Sequence, residues 1–253
     1  MVKKIKKDIK KNKIKNYEVL SGSKVKILYT NGDEYTGCFV RGKKQGYGIM
    51  KYNNGDKYEG DFKDDKADGE GTINYSYGEK YIGTIRRDNI EGKGRYYYSN
   101  GNIYEGQWKK GVIDGKGKFY YHNGDISEGD YKNYLLNGKG KCYYTNGDKY
   151  EGEFKDNKRE GLGRYYFNDD SKYEGDLKND QPNGIGTYYW PNGSKYTGSW
   201  KDGLRDGYGE MIFASGEVRG QYYTNGILTY DQIMNQNQLG LNQANNNQQN
   251  QIG

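Results

Sequence analysis

The chain has 253 residues and a net charge of +6, and its composition is dominated by 40 glycines and 30 tyrosines. Scarce aliphatic residues argue against a conventional domain with a large aliphatic core, and the many tyrosines argue against a disordered chain, because disordered segments are poor in aromatic residues. Tyrosine and glycine together favour a thin, regular layer built from repeats.

Targeting and cross-linking signals are absent from the pattern. Two cysteines, Cys38 and Cys142, are too few for a disulfide framework or a zinc site. The sequence has neither the apolar region of a signal peptide nor a run of about 20 apolar residues that would span a bilayer. We therefore expect a soluble, cytoplasmic protein.

Residues 1–22 are predicted to form a basic N-terminal arm. Residues 1–16 carry a net charge of +7, which leaves −1 for the rest of the chain. Val2, Ile5 and Ile9 lie at helical spacing among lysines, as in a basic amphipathic helix that binds anionic lipid or an acidic protein surface. A solvated, disordered arm explains the same residues, so both interpretations stay open. The lysines of the hypothetical binding surface are Lys3, Lys4, Lys6, Lys7, Lys10 and Lys11.

A 23-residue repeat occurs eight times without insertion over residues 35–218, with partial repeats on both sides. We number the positions of each repeat from 1 to 23. Position 1 is held by Tyr35, Tyr58, Tyr81, Tyr104, Ser127, Tyr150, Tyr173 and Tyr196. Glycine occupies positions 3, 12 and 14 in all eight repeats and position 21 in seven. The period identifies a repeat architecture.

Each repeat is predicted to be a β-hairpin. Positions 1 to 5 alternate aromatic, polar, glycine, polar and aromatic residues, and positions 12 to 18 alternate similarly, as strands do. An Asn-Gly pair such as Asn54-Gly55 predicts a type I′ turn between strands. The predicted fold is all-β, an elongated, single-layer, twisted antiparallel β-meander (a hairpin repeat array) with flexible termini.

The repeated glycines suggest how a single layer is held together. Without a Cβ at positions 3, 12 and 14, rings from positions 1, 5, 16 and 18 are expected to lie flat across the glycines. These contacts would replace the second layer against which a sheet normally buries one face.

Two segments carry a family resemblance, Tyr-Glu-Gly-Glu-Phe-Lys-Asp-Asn-Lys-Arg-Glu-Gly-Leu-Gly at 150–163 and Tyr-Thr-Gly-Ser-Trp-Lys-Asp-Gly-Leu-Arg-Asp-Gly-Tyr-Gly at 196–209. Both resemble MORN (membrane occupation and recognition nexus) repeats, and the likeness extends over 35–218. The resemblance implies a repeat array over 23–226, elongated twisted sheets with a groove, and roles in cytoskeletal, ciliary or membrane-junction assemblies. It also implies catalysis outside the repeats, so we expect no enzyme here.

Position 17 is the most informative candidate site. It points away from the glycines, where a solvated sheet carries polar residues. Five consecutive repeats have tyrosine there instead, namely Tyr97, Tyr120, Tyr143, Tyr166 and Tyr189. Tyrosine is enriched at binding hot spots, so this stripe suits an extended partner such as an amphipathic helix in the sheet groove. Alternatively, the rings shield the backbone of an uncovered sheet.

Other site classes find little support. Residues 227–253 are predicted to be a capping segment and an Asn/Gln-rich tail. The single histidine, His122, excludes a histidine pair for catalysis or metal binding, so we predict no catalytic residue, metal or cofactor. The nearly neutral repeat region argues against nucleic acid. Exposed end strands would allow a homodimer by edge pairing.

Two functions follow from these observations. The first is a non-enzymatic scaffold for protein–protein interaction within a cytoskeletal or ciliary, radial-spoke-like assembly, with cytoskeletal or axonemal partners. The second is a peripheral membrane adaptor that binds anionic lipid through the basic arm.

Overall fold

The structure is a computed structural model that describes residues 13–234, and those residues form strands and turns but no helix. The chain divides into two compact units between Leu135 and Leu136. The strands of the first unit are β1 (Ile14–Ser21), β2 (Lys24–Tyr29), β3 (Glu34–Val40), β4 (Lys43–Lys51), β5 (Lys57–Lys63), β6 (Lys66–Asn74), β7 (Lys80–Arg86), β8 (Asn89–Tyr97), β9 (Ile103–Lys109), β10 (Val112–Tyr120) and β11 (Ile126–Lys132). Those of the second unit are β12 (Leu135–Tyr143, which begins at the boundary), β13 (Lys149–Lys155), β14 (Lys158–Tyr166), β15 (Lys172–Lys178), β16 (Gln181–Tyr189), β17 (Lys195–Lys201), β18 (Leu204–Ile212), β19 (Val218–Thr224) and β20 (Ile227–Ile233).

Each repeat contributes one strand of seven residues and one of nine, and strands adjacent in sequence pair antiparallel within each unit. The predicted all-β antiparallel meander of hairpins is therefore confirmed. The register brings position 3 opposite position 14 of its own repeat, as in Gly60 and Gly71, and position 14 opposite position 3 of the next, as in Gly71 and Gly83. A line of glycines consequently crosses the strands of each unit.

Tyrosine rings cover this glycine line. A Cβ on Gly60 would lie 2.6 Å from the hydroxyl oxygen of Tyr58, and one on Gly71 would lie 2.7 Å from the same atom. Tyr58 is 2% exposed, and its hydroxyl donates a hydrogen bond of 2.8 Å to the carbonyl oxygen of Asp61. Tyrosine at position 1 is buried wherever it occurs. The predicted contact of rings with glycine is confirmed for the position 1 ring over the glycines at positions 3 and 14.

The core of each unit lies on this side of the sheet, which we call the ringed face and define by positions 1, 3, 5, 14 and 16. Position 5 packs its side chain edge-on against position 1, as in Tyr58 and Phe62, whose ring centroids are 5.1 Å apart at 76°. Such T-shaped pairs are favourable beyond their buried area. The core is therefore a row of tyrosines alternating with Phe, Trp, Leu or Ile.

Glycine at position 12 was predicted to make room for a ring, and that reason is wrong. All eight glycines at this position have a positive φ, for example Gly69 at 136° and Gly161 at 74°. They lie where the register shifts, because Gly60–Phe62 on β5 opposes the longer stretch Ala67–Gly71 on β6. A Cβ on Gly69 would meet Asp61, not a ring. Glycine is used here because a bulge requires a backbone conformation that other residues adopt at a cost.

The predicted turn types are also wrong. In the loop that contains Asn54-Gly55, only the glycine has a positive φ. Gly55 N donates a hydrogen bond to Tyr52 O, and Tyr52 N donates one to Asp56 O. This is a three-residue loop with a glycine bulge, to which Asn-Gly is equally suited. Each repeat has a second turn, at positions 7 and 8, and this is the one with two positive-φ residues. In Asp64-Asp65, for example, the φ angles are 53° and 74°.

Additional strands lie outside the eight repeats. β1 (Ile14–Ser21) falls within the segment predicted to be an arm, and it pairs with β2. β20 (Ile227–Ile233) falls within the predicted capping segment and pairs with β19. The lysines proposed for lipid or acidic-surface binding, Lys3 to Lys11, lie outside the described residues, as does most of the Asn/Gln-rich tail.

Candidate functional site

The side of the sheet opposite the rings is the candidate interaction surface. We call it the open face and define it by positions 2, 13, 15 and 17. No repeat has a buried residue at any of these positions. Strand alternation produces this contrast, because successive side chains point to opposite sides of a sheet. One face of each unit is thus sealed by its own rings, and the other presents its side chains to solvent.

Cross-strand ion pairs organise the open face. Position 15 lies opposite position 2 of the next repeat, and in the first unit this register pairs Arg95 with Glu105 and, at 3.3 Å, Lys118 with Glu128. In the second unit Lys141 lies 3.1 Å from Glu151. These pairs are substantially exposed, so each adds little stability, but each neutralises one cation of the face.

In the first unit, the predicted tyrosines Tyr97 and Tyr120 lie in one row at the ends of β8 and β10. Ile103 is the cross-strand partner of both. Both rings are half-buried, and the Lys118 ammonium lies 5.5 Å from the ring centroid of Tyr120. The row therefore combines rings with an aliphatic neighbour and a cation.

In the second unit, Tyr143, Tyr166 and Tyr189 form a similar row. Lys149 lies between the first two rings, with its ammonium 5.8 Å from one centroid and 5.3 Å from the other. Lys172 lies 4.3 Å from the centroid of Tyr189. Tyr143 is 37% exposed and the other two are half-buried. Cation–π contacts of this kind hold the rings in place.

Carboxylates fix the lysines of this row. Glu174 accepts a hydrogen bond of 2.9 Å from Lys172, and that ammonium holds the pKa of Glu174 below its usual value. Glu151 likewise has a lowered pKa, first because of Lys141 and then because of Lys149, which lies 3.4 Å away. The charges that flank the tyrosines are therefore present at neutral pH.

Sequence reasoning missed the cations on the ringed face. Position 10 lies opposite position 5, and in three repeats it carries a cation over rings. Arg205, for example, lies 4.5 Å from the ring centroid of Tyr196 and donates a hydrogen bond to the hydroxyl of Tyr223. Burial lowers the pKa of Lys44, whose ammonium lies 5.1 Å from the Phe62 centroid. Position 10 varies between repeats, so only the register could have revealed it.

Residues 13–234 contain no group of three or more His, Cys, Asp or Glu side chains that could hold a metal ion. Neither Cys38 nor Cys142 forms a disulfide, and both are half-buried.

A family model described as MORN repeat matches eight consecutive stretches of the chain, residues 35–57, 58–76, 81–103, 104–126, 128–149, 150–172, 173–195 and 196–218. The chain belongs to the MORN-repeat family. MORN repeats are a non-enzymatic, scaffold type of repeat, and eight of them occupy most of the chain. The matched stretches coincide with the hairpins that carry the glycine line and both tyrosine rows.

Solved structures resemble this MORN-repeat protein only distantly. The wild-type TCP10 domain of Danio rerio CPAP is 15% identical over 85% of this chain and 93% of that chain, with a TM-score of 0.29. The TCP domain of Drosophila melanogaster SAS-4, in complex with a proline-rich motif of Ana2, is 12% identical over 81% of this chain and 94% of that chain, with a TM-score of 0.31. Scores this low carry no argument. No curated protein matches.

Over residues 13–234, no helix has the length and apolar character needed to cross a bilayer.

Proposed function

We propose that this MORN-repeat protein is a scaffold that binds protein partners on its open face, within a cytoskeletal or ciliary assembly. The observation that carries the proposal is the arrangement of Tyr143, Tyr166 and Tyr189, whose rings are fixed by lysines and are partly exposed on the open face. Tyrosine fixed in this way offers a large contact area and loses little conformational entropy on binding. Tyr97 and Tyr120 offer the same chemistry on the first unit.

An amphipathic helix is the partner that this surface suits best. Its apolar side would contact the rings, and its polar side would meet the charged pairs that flank them. The alternative explanation, in which the tyrosines only shield backbone, predicts that their removal destabilises the sheet without changing which proteins bind.

Proximity labelling in the native cell tests the scaffold. The unchanged chain is compared with a triple variant, Tyr143→Ser, Tyr166→Ser and Tyr189→Ser, and with Tyr77→Ser as a control. Tyr77 is 62% exposed in a turn and lies outside both rows. We expect the triple variant to lose cytoskeletal or ciliary neighbours that the control retains. If the triple variant folds and keeps every neighbour, the tyrosine row is not the binding surface.

A peripheral membrane adaptor is the second candidate. The concentration of charge in the N-terminal arm supports it, since Lys3, Lys4 and Lys6 belong to a segment with eight lysines and one acid. Such segments are attracted to anionic lipid. Flotation with vesicles of phosphatidylcholine and phosphatidylserine tests it, because a scaffold without lipid affinity stays at the bottom of the gradient.

Edge pairing between two copies is a further way to extend the scaffold. Every residue of β20 is exposed, including Ile227 at 70% and Ile233 at 60%, and β19 is its only strand partner within residues 13–234. Unpaired edge strands with apolar side chains favour association. Light scattering of the purified chain would show a dimer that Ile227→Lys weakens.

A further inference from the structure

A groove crosses β7 to β10 on the open face of the first unit. Its volume is about 740 Å³. Gly94, Gly106 and Gly117 line it through their backbone, because a side chain at these positions would point to the ringed face. Tyr120 lies at one side, so the groove borders the tyrosine row of this unit.

The groove is locally basic although the repeat region as a whole is almost neutral. Four cations and one acid line it, namely Lys93, Arg95, Lys116, Lys118 and Glu105. Two of these cations are neutralised in place, because Arg95 pairs with Glu105 and Lys118 with Glu128. The charge that remains belongs to the two lysines at position 13.

Lys93 and Lys116 are exposed, and neither has an acidic group within 4.0 Å in residues 13–234. Their cross-strand partners explain why. Lys93 lies opposite the neutral Gln107, and Lys116 lies opposite Asp130 without forming an ion pair. Both ammonium groups are therefore available to a ligand.

Position 13 carries this charge only in part of the array. The preceding repeat has Glu70 there, and in the second unit the position holds Lys139 and then becomes apolar at Leu162 and Ile185, which are 63% and 60% exposed. Lysine at position 13 is thus a feature of three consecutive repeats, two of them in the first unit, and not a general property of the repeat.

The spacing of these groups defines the partner. Lys93 and Lys116 are one repeat apart, which is two strands and therefore about 10 Å. Seven residues of an α-helix rise about 10.5 Å. Positions 13 and 17 are four residues apart along a strand, about 13 Å, which is close to the width of a helix with its side chains. A helix running across the strands would therefore reach the lysines with one side and Tyr97 and Tyr120 with the other.

We propose that the groove of the first unit binds an acidic amphipathic helix whose Glu or Asp residues recur every seven residues and pair with Lys93 and Lys116. The proposal rests on the proposed function, because it places the protein partner on the same face. It adds that the partner is acidic and that its acidic residues recur every seven residues. Attraction between the lysines and the acidic stripe would be weakened by salt.

Fluorescence anisotropy with the full chain tests this. The probe is a 21-residue peptide, stapled on its solvent side to hold it helical, with Glu at every seventh position and a leucine stripe beside it. The matched probe has Gln at those positions. The test variant is Lys93→Glu with Lys116→Glu, and the control is Lys155→Glu with Lys178→Glu, which changes the net charge equally in the second unit.

We expect the Glu probe to bind at least about tenfold more tightly than the Gln probe, and the test variant to lose about tenfold while the control does not. A further variant with Lys3, Lys4, Lys6 and Lys7 changed to Gln should still bind, which would separate the groove from the arm. Equal losses in test and control variants would overturn the proposal, because they would indicate unspecific charge attraction. Binding of phosphatidylserine vesicles through Lys93 and Lys116, without discrimination between the two peptides, would also overturn it.

The same measurement separates this inference from the proposed function. If the Glu and Gln probes bind equally and the binding depends on Tyr97 and Tyr120, the proposed acidic residue at every seventh position of the partner is wrong, and the scaffold proposal stands. If neither probe binds and the tyrosine variants keep all their cellular neighbours, both proposals fail.

Discussion

The Tyr150 ring covers Gly152, and a Cβ on that glycine would lie 2.7 Å from Cζ of the ring and 2.6 Å from the Cα of Gly163 on the next strand. The ring and two backbones thus occupy the space in which a side chain would otherwise stand. This contact recurs in every repeat with tyrosine at position 1, and it allows one face of a sheet to be sealed without a second layer.

Gly152→Val should therefore destabilise the chain strongly. We expect a decrease of about 1–3 kcal/mol in the free energy of unfolding, because the side chain displaces the ring or separates the strands. Thermal melting followed by circular dichroism measures it. Glu151→Val is the control, since it lies on the other face and loses only two surface ion pairs, each worth about 1 kcal/mol at most. Equal midpoints for Gly152→Val and the unchanged chain would contradict the ring-over-glycine contact.

Gly161 tests the different role of position 12. Its φ of 74° is in the left-handed region, so Gly161→Ala should cost about 1–3 kcal/mol through backbone strain. Gly161→Asn should cost less, because asparagine tolerates this conformation better than other residues. Urea unfolding measures the loss of stability in both variants. A larger loss for asparagine than for alanine would indicate that lack of space, not backbone conformation, requires glycine there.

The hydroxyl groups of different position 1 tyrosines should contribute differently to the free energy of unfolding. The Tyr58 hydroxyl donates to the Asp61 carbonyl at 2.8 Å, so Tyr58→Phe should cost about 0.5–1.5 kcal/mol. The Tyr196 hydroxyl is buried and has no hydrogen-bond partner in residues 13–234, so Tyr196→Phe should be neutral or stabilising. Each variant removes the same group, one tyrosine hydroxyl, from the unchanged chain. Similar losses in chemical denaturation would show that the Tyr196 hydroxyl is also bonded in solution.

Alkaline pH should unfold the chain cooperatively. Burial raises the pKa of Tyr150 and of Tyr196 to about 12, and it raises the pKa of Tyr58 further. The ordinary value is about 10, so between about pH 10 and 12 the folded state holds protons that the unfolded state releases, and stability falls as pH rises. Below about pH 10 this contribution is fully present. Melting midpoints measured with tyrosinate absorbance should fall steeply in that window, and buried tyrosines that ionise near pH 10 in the folded chain would refute the burial.

The period of the repeat made most of the fold predictable. Alternation around Gly60 placed Tyr58 and Phe62 on one face, and the structure has them there, buried. The turns could not be assigned, because Asn-Gly suits both a two-residue turn and a three-residue loop with a bulge. The choice depends on which residues pair across the strands, and composition does not record it. Asp64-Asp65 forms the tighter turn without any glycine.

The site was predictable only in part. Its tyrosines were visible as a periodic exception at position 17, but the lysines that fix them were not. Lys149 lies one position before the next repeat, and only the register places it between Tyr143 and Tyr166. Likewise the free charge of Lys93 depends on its cross-strand partner being Gln107 rather than an acid.

Hydroxyl-radical footprinting of the full chain, read residue by residue by mass spectrometry, tests the account most directly. If one face is sealed by rings and the other is open for binding, Tyr150, Tyr173 and Tyr196, each at most 1% exposed, should stay unmodified. In the same sample Tyr143 should be oxidised readily. Comparable oxidation at the two positions of the repeat, or protection of Tyr143 alone, would contradict the assignment of the two faces.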